Sequence, residues 1–368
     1  MYRISWAYDR LKCCNDQGFA GMGAQENSSE SSVADKASVS SRFWKIVPGY
    51  AIAIVCLIWI FHDIRIRDLT NSMTSINWWW VAGAVFLDIL SYVCQGMRWS
   101  LLLHPLGRVS TFRATEAIYA GLFVNEMMPM RLGEVLRIYL VSLWIPVRFA
   151  VVIPSILVER LFDAVWLALA FGITVFAVPL PEYLVDAEGV LGFTALATIA
   201  LFAYLAFCKR AEGAARPVAA WRRWRPVRWF SGLFDKMAGG IRDIGRSRFF
   251  YSSFGISLLL LLGQILSYWF VMQAYGLKLS FWHGAAVFLI VHIGTIIPGA
   301  PSNVGTYQFF TVVGLTLFGI DKTLATSFSI VVFFILTIPL WIVGMVVFGR
   351  LGLSLKKVQT EIMALAKS

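Results

Sequence analysis

Charged and amide side chains gather in one part of this chain, which is otherwise largely apolar. Ionisable groups are expensive to place inside a long apolar region, so each of them is a candidate functional residue. Arginine presents a planar fork of donors that matches phosphate oxygens, and it stays charged when it is desolvated. The group therefore predicts a site for a phosphate-bearing headgroup. Its members are Glu116, Asn125, Glu126, Arg131, Glu134, Arg137, Glu159, Arg160 and Asp163.

The segment Glu159-Arg160-x-x-Asp163 stands at the start of a long apolar stretch. Residues four apart share one face of a helix, so Glu159 and Asp163 point the same way, and Arg160 lies within reach of Asp163. An acid–base–acid group of this kind either binds a zwitterionic or phosphate headgroup or neutralises itself.

Structural explanations compete with the functional ones at several positions. Arg137 and Arg160 are alternatively cations whose long side chains reach the membrane interface. Glu134 either pairs with Arg131 as a structural ion pair or holds it in place for a ligand. Asp88 lies within an apolar run without a cation beside it in sequence. It is either a proton-coupling group or a neutral buried acid bonded to a neighbouring helix.

Two segments with the core Pro-x-(Arg/Asn)-(Leu/Val)-Gly interrupt apolar runs, at Pro129 to Gly133 and at Pro301 to Gly305. Proline and glycine break helices, and unpaired backbone is tolerated at bilayer depth only where it is buried in protein or lines a watery cavity. Matching breaks in two halves of a membrane protein indicate a carrier. The second break is uncharged and predicts the neutral wall of a shared cavity, with a kinked structural helix as the alternative. The residues assigned to it are Pro298, Asn303, Tyr307 and Gln308.

The composition defines the class of protein. Of 368 residues, 58% are hydrophobic, 15% aromatic and 14% charged. This predicts an all-α polytopic membrane protein rather than a water-soluble domain. The net charge of +11 is explained by basic residues on the cytoplasmic side, so no nucleic-acid partner is expected. The sequence has no phosphate-binding loop and no metal-ligand cluster, and no cofactor or metal is expected.

The apolar runs predict six membrane spans and two broken regions. The regions 112–145 and 283–320 are each expected to form two short helices joined by a bend, which enter and leave on the same face. The units 78–178 and 254–348 then form an inverted repeat, as in many carriers. The spans are expected at 46–61, 78–97, 150–178, 190–208, 254–275 and 326–348.

Charge orients the chain in the membrane. Residues 209–248 carry eleven Lys or Arg against three acids, so this loop is expected to be cytoplasmic. Residues 1–45 are expected to be a disordered cytoplasmic tail, 46–348 the membrane domain, and 349–368 a second cytoplasmic tail. Cations alternate with aromatic residues in part of the basic loop, where they are either interfacial phosphate contacts or generic topology-setting charges. These cations are Arg222, Arg223, Arg225 and Arg228.

Three motifs together resemble the lysylphosphatidylglycerol synthase transmembrane-region family, a flippase-like family that includes the lipid-flipping half of the bacterial multiple peptide resistance factor. They are Asn125-x-x-x-Pro129-x-Arg131-x-Gly133-Glu134-x-x-Arg137, Glu159-Arg160-x-x-Asp163 and Pro301-Ser302-x-Val304-Gly305-Thr306-Tyr307. The resemblance spans roughly 78–348. It departs at Gln308, where many relatives have Glu, and fewer than twenty residues follow Arg350. Synthesis of the lysyl-lipid itself is therefore not expected.

The resemblance implies movement of a polar-headgroup lipid between the leaflets of a bacterial cytoplasmic membrane. The expected partners are anionic or aminoacylated phospholipids, hopanoids or polyprenyl-linked glycolipids, and a homo-oligomer is left open. Two other hypotheses remain. One is a membrane enzyme or accessory subunit acting on polyprenyl-phosphate sugars, with Glu159 or Asp163 as base or metal ligand. The other is a scaffold that recruits partners through 209–248.

Overall fold

The computed structural model describes residues 51–60, 76–128, 132–145, 149–178 and 247–352 without 297–299, together with 147, 196, 200, 244 and 245. All of these residues belong to the compact unit Gly49–Ser368. The described residues are helical or irregular, and none of them lies in a strand. The predicted tail 1–45, most of the loop 209–248 and nearly all of the predicted span 190–208 lie outside the described residues.

The helices follow the apolar runs of the sequence, and polar side chains cap several of their starts. Ser110 and Ser280 accept hydrogen bonds from the backbone at the beginning of the helices Thr111–Met127 and Phe281–Gly294. We number the helices α1 (Ala51–Ile60), α2 (Trp78–Leu103), α3 (Thr111–Met127), α4 (Leu132–Trp144), α5 (Phe149–Ala177), α6 (Phe249–Ala274), α7 (Phe281–Gly294), α8 (Thr306–Thr316) and α9 (Lys322–Arg350).

Among the described helices, α2, α6 and α9 are long and apolar enough to cross a membrane. Helix α2 continues to Leu103, although the sequence predicted a span ending at residue 97. The difference arises at Arg98, whose charge is neutralised by contacts with other helices and so does not end the apolar segment. Helices α5, α6 and α9 differ from their predicted bounds by up to five residues at an end.

Helices α2 and α6 lie antiparallel and touch along their whole length. The backbone N–H of Asn77 donates to the carbonyl of Ala274 at one end, 2.9 Å away. About two turns further along α2, the Ser267 hydroxyl donates to the carbonyl of Ala84. At the other end, the rings of His104 and Phe249 lie 4.2 Å apart. Small side chains allow this close approach, as is usual between helices in membranes.

The two broken regions each form an antiparallel helical hairpin, α3–α4 and α7–α8. Gly121 of α3 lies against Gly133 of α4, where a Cβ added to Gly133 would meet the Gly121 carbonyl oxygen at 1.7 Å. In the second hairpin, Gly294 of α7 lies against the ring of Phe310 of α8. A short 3-10 turn, Pro301–Asn303, precedes α8. A hydrophobic core fills each hairpin and the helices around it.

The order of a long helix, a hairpin and another long helix occurs twice along the chain. Helix α5, which ends the first set, packs against α7 of the second hairpin through Phe171 and Leu289. Helix α9, which ends the second set, packs against α3 of the first hairpin, where Gly344 contacts Phe123. Each closing helix therefore bridges its own set and the hairpin of the other.

The contact between Gly121 and Gly133 leads to a stability prediction. Gly133→Ala should destabilise the protein by roughly 1–3 kcal/mol or more, because the new methyl group meets backbone rather than a movable side chain. The melting temperature in detergent measures the effect, and it is determined by size-exclusion chromatography of samples heated to different temperatures.

Gly255→Ala in α6 is the matched control, since a Cβ there has nothing within 4 Å. Both substitutions replace a helical glycine by alanine, which is the better helix former. Only the steric contact distinguishes them, so equal melting temperatures for the two variants would contradict the close packing of the first hairpin.

Candidate functional site

The carboxylate of Glu159 is the centre of a buried ion-pair chain. Its Oε2 accepts a hydrogen bond from Nη2 of Arg137 at 2.7 Å, and its Oε1 lies 3.4 Å from Nη2 of Arg98. The three side chains are at most 5% exposed. One acid on α5 thus joins α2 and α4 through two guanidinium groups.

The chain continues outward through Asp163 to partly exposed residues. Nη1 of Arg98 donates to Asp163, and Nη1 of Arg160 lies 3.6 Å from the other oxygen of that carboxylate. Arg160 also donates to Glu134 of α4. The Arg160 side chain is 49% exposed, whereas that of Arg98 is 1% exposed. The ion-pair chain therefore runs from a dry interior to an accessible end, with three cations and three anions.

Polar and aromatic neighbours hold the inner arginines in place. The guanidinium carbon of Arg137 lies over the ring of Trp99, 4.3 Å from its centroid. The Trp99 indole N–H donates to the hydroxyl of Ser155, and Arg98 donates to the hydroxyl of Ser257 on α6. These contacts orient the side chains before any ligand arrives.

Two donors of the ion-pair chain are left over. The Nε groups of Arg98 and Arg137 are buried and have no hydrogen-bond partner among the described residues. A buried N–H without a partner is costly, and such groups usually meet water or a ligand. The ion-pair chain can therefore still donate hydrogen bonds to an oxygen-rich group or to water.

The tips of the two hairpins meet. The hydroxyl of Ser302, in the 3-10 turn, donates to the backbone carbonyl of Glu126 near the end of α3, 3.1 Å away. Ser302 and Asn303 have φ values of 57° and 50°, a left-handed conformation that is rare outside glycine. The strained turn is thus held directly against the first hairpin.

At each break, an amide side chain forms a hydrogen bond with the backbone. Asn125 Oδ1 accepts from the backbone N–H of Gly133, and Gln308 Oε1 accepts from the backbone N–H of Gly305, both at 2.7 Å. Gly305 has a φ of 89°, which suits glycine, and it lies against the backbone of Ala53. Asn125 and Gln308 were predicted as substrate-binding residues, and in this structure both satisfy backbone donors.

A cavity of about 170 Å³ lies beside the meeting hairpins. Helices α2, α3, α6, α7, α8 and α9 contribute to its wall, so both sets of helices line it. Its polar lining includes two carboxylates and no Lys or Arg among the described residues. The polar residues of the lining are Asp88, Tyr92, Glu126, Gln264, Tyr268, His292, Thr295, Tyr307 and Thr337.

The structure brings five of the ten predicted substrate-binding residues together in the ion-pair chain. Glu134, Arg137, Glu159, Arg160 and Asp163 all belong to the ion-pair chain. Tyr307 lines the cavity, while the Asn303 carbonyl accepts from the hydroxyl of Thr306 inside the turn. Gly133 lies at the start of α4, and Pro301 and Gly305 lie in the segment that precedes α8. The following predicted residues lie outside the described residues: Pro129, Arg131, Pro298, Arg222, Arg223, Arg225 and Arg228.

Sequence reasoning missed Arg98, which contacts two of the three acids of the ion-pair chain. The signal was available, because apolar residues continue from Trp99 to Leu103 after this arginine. Extending the predicted span through that run places Arg98 inside the membrane helix, where it needs a partner. Among the described residues, no cluster of three or more His, Cys, Asp or Glu could hold a metal ion.

The position of Glu159 leads to a second stability prediction. Glu159→Gln should destabilise the protein by about 3–5 kcal/mol, because two buried guanidinium groups lose their shared carboxylate. Glu134→Gln removes a partly exposed partner of Arg160 and should cost less than about 1 kcal/mol. Thermal unfolding of both variants in the same detergent measures the difference, and equal losses would contradict the inner position of Glu159.

The sequence comparisons agree with this arrangement of motifs. The family model described as the lysylphosphatidylglycerol synthase TM region matches residues 46–344. A "UPF0104 membrane protein" of Methanothermobacter thermautotrophicus is 23% identical over 316 residues, which cover 79% of this chain and 87% of the relative. The motifs, the helical fold and the extent of the match together show that this chain belongs to the lysylphosphatidylglycerol synthase TM region family.

Proposed function

We propose that this protein is a lipid translocase, which moves a polar-headgroup lipid between the two leaflets of the membrane. A phospholipid or an aminoacyl-phospholipid is the proposed cargo. The observation that carries the proposal is the contact between the hairpin tips at Ser302 and Glu126, beside a polar cavity lined by both sets of helices. Broken helices that meet at a cavity are the usual form of a carrier's substrate site.

We further propose an inverted repeat of six spans and two re-entrant hairpins. The antiparallel contact of α2 and α6 supports it, because these helices occupy the same place in the two sets. The reciprocal packing of α5 on α7 and of α9 on α3 also supports it. In such an arrangement, one set rocks against the other and opens the cavity to each side in turn.

The headgroup phosphate is proposed to bind at the outer end of the ion-pair chain. Arg160 is half exposed and pairs with both Glu134 and Asp163. An incoming phosphate can therefore replace one of these carboxylates as the partner of its guanidinium group. The Nε–H groups of Arg98 and Arg137 have no partner among the described residues, so they can donate hydrogen bonds to further oxygen atoms or to water. The acyl chains remain in the bilayer throughout.

An enzymatic role is less well supported by the geometry. A general base needs a free lone pair directed at its substrate. Both oxygens of Glu159 and of Asp163 already face guanidinium groups. We also propose a bacterial cytoplasmic membrane as the location, with both termini on the cytoplasmic side. The basic segment 209–248 supports a cytoplasmic position for this loop, and the Lys and Arg residues of the two terminal segments support the same side for the termini.

The purified chain in proteoliposomes should move a fluorescently labelled phospholipid from the inner to the outer leaflet. Accessibility of the label to a membrane-impermeant quencher measures this. Arg160→Ala should slow the movement roughly tenfold, because one charge-assisted contact contributes about 1.5–3 kcal/mol. Arg160→Lys should be intermediate, since it keeps the charge and loses the planar fork.

Arg113→Ala is the matched control. Arg113 is an exposed arginine of α3 whose guanidinium lies 6.0 Å from the ring centroid of Trp144, and it takes no part in the ion-pair chain. Unchanged movement in Arg160→Ala would contradict the headgroup site. Failure of the unmodified protein to move anionic, zwitterionic and aminoacylated lipids would contradict the function itself, and turnover of a polyprenyl-phosphate sugar would favour the enzymatic alternative.

A further inference from the structure

The cavity between the hairpins has the opposite electrostatic character to the ion-pair chain. In the ion-pair chain, every carboxylate faces a guanidinium group. Asp88 and Glu126 line the cavity, and neither forms an ion pair with a Lys or Arg among the described residues. Asp88 is only 6% exposed, so its carboxylate reaches little besides the cavity.

An ionised carboxylate in this position needs compensation. Burying an isolated charge away from water costs many kcal/mol, and inside a membrane such a group pairs, becomes neutral or marks an ion pathway. The Glu126 side chain also interacts with the side chains of Ser302 and Trp341. The described surroundings of Asp88 supply no cation, so compensation for this acid comes through the cavity. A proton or a small cation is the ligand that this chemistry requires.

Most of the helices around the cavity contribute a titratable group to its lining. Helix α2 presents Tyr92, α6 presents Tyr268, α7 presents His292 and α8 presents Tyr307, while α9 presents only Leu336, Thr337 and Leu340. Tyr119 of α3 also lies within electrostatic range of Asp88. Hydroxyl groups and one imidazole therefore line the same cavity as the two acids, and groups of this kind can relay a proton without adding fixed positive charge.

The lining favours a proton over a metal ion. Hard metal cations need about six oxygen ligands around one point. Among the described residues, no three acidic, histidine or cysteine side chains converge in this way. Tyr92 lies within electrostatic range of both acids, and a proton neutralises either carboxylate without any ligand cage.

Glu126 connects the cavity to the hairpin contact. Its backbone carbonyl accepts the hydrogen bond from Ser302, while its side chain lines the cavity. A change of charge on this side chain thus occurs at the residue that holds the two hairpins together. Asp88 stands on α2, the helix that contacts α6 along its whole length.

We propose that Asp88 and Glu126 bind and release protons in each transport cycle, and so couple lipid movement to a proton gradient. A proton adds to a carboxylate oxygen while the cavity is open to one side, and the new O–H bond makes the acid neutral. The neutral cavity passes through the closed state, and the bond breaks when the proton leaves on the other side. This inference rests on the lipid translocase proposed above.

The test uses the full chain in proteoliposomes that contain a pH-sensitive dye and a labelled phospholipid. A gradient of about one pH unit should shift the ratio of labelled lipid between the leaflets by up to about tenfold per proton moved, and the dye should report accompanying proton flux. Asp88→Asn and Glu126→Gln should each lose the response of the leaflet ratio to the pH gradient, and a full gradient response in both variants would overturn the assignment. Asp88→Glu, which keeps a titratable group, should retain part of the response.

Glu116→Gln is the matched control, because Glu116 lies on the same helix as Glu126 and does not line the cavity. A response to a sodium or potassium gradient in place of the pH gradient would overturn the proton assignment. Lipid movement that ignores every gradient would overturn coupling and leave the translocase intact. Absence of lipid movement in the unmodified protein would overturn the translocase, and coupling would fall with it.

Discussion

The carboxylate of Glu159 accepts contacts from guanidinium groups of two other helices in a region that water barely reaches. An apolar environment does not tolerate an unpaired charge, so this acid and its arginines must meet for α2, α4 and α5 to pack. The contact also explains how Arg98 is buried inside a long apolar helix. The alternation of acid and arginine continues through Asp163, Arg160 and Glu134 to the accessible surface. A ligand can reach the charges there.

Close backbone approach is the second constraint. Gly121 and Gly133 allow α3 and α4 to touch, and Gly305 brings the second break against α1. The breaks free backbone N–H groups, and Asn125 and Gln308 satisfy one such donor in each hairpin. A side-chain amide therefore bonds to a glycine N–H in both hairpins. The amide residue precedes the glycine in the first hairpin and follows it in the second.

Two polar regions of different character therefore lie within one helical unit. Among the described residues, the ion-pair chain contains three cations and three anions, whereas the cavity is lined by two acids and no Lys or Arg. His292 lines the cavity and lies within electrostatic range of Asp163, so the two regions are electrostatically linked. In the proposed cycle, the headgroup and the proton occupy neighbouring sites on the same moving helices.

The sequence by itself determined the class, the membrane character, the family and the position of both breaks, because composition and the spacing of proline, glycine and charge are local properties. It also predicted that Arg160 lies near Asp163, which follows from helical geometry alone. Only the tertiary structure decided that Glu134 pairs with Arg160, that Arg98 completes the chain and that Asp88 and Glu126 share a cavity. These pairings join residues far apart in sequence, and helical periodicity carries no information about which face of one helix meets which face of another.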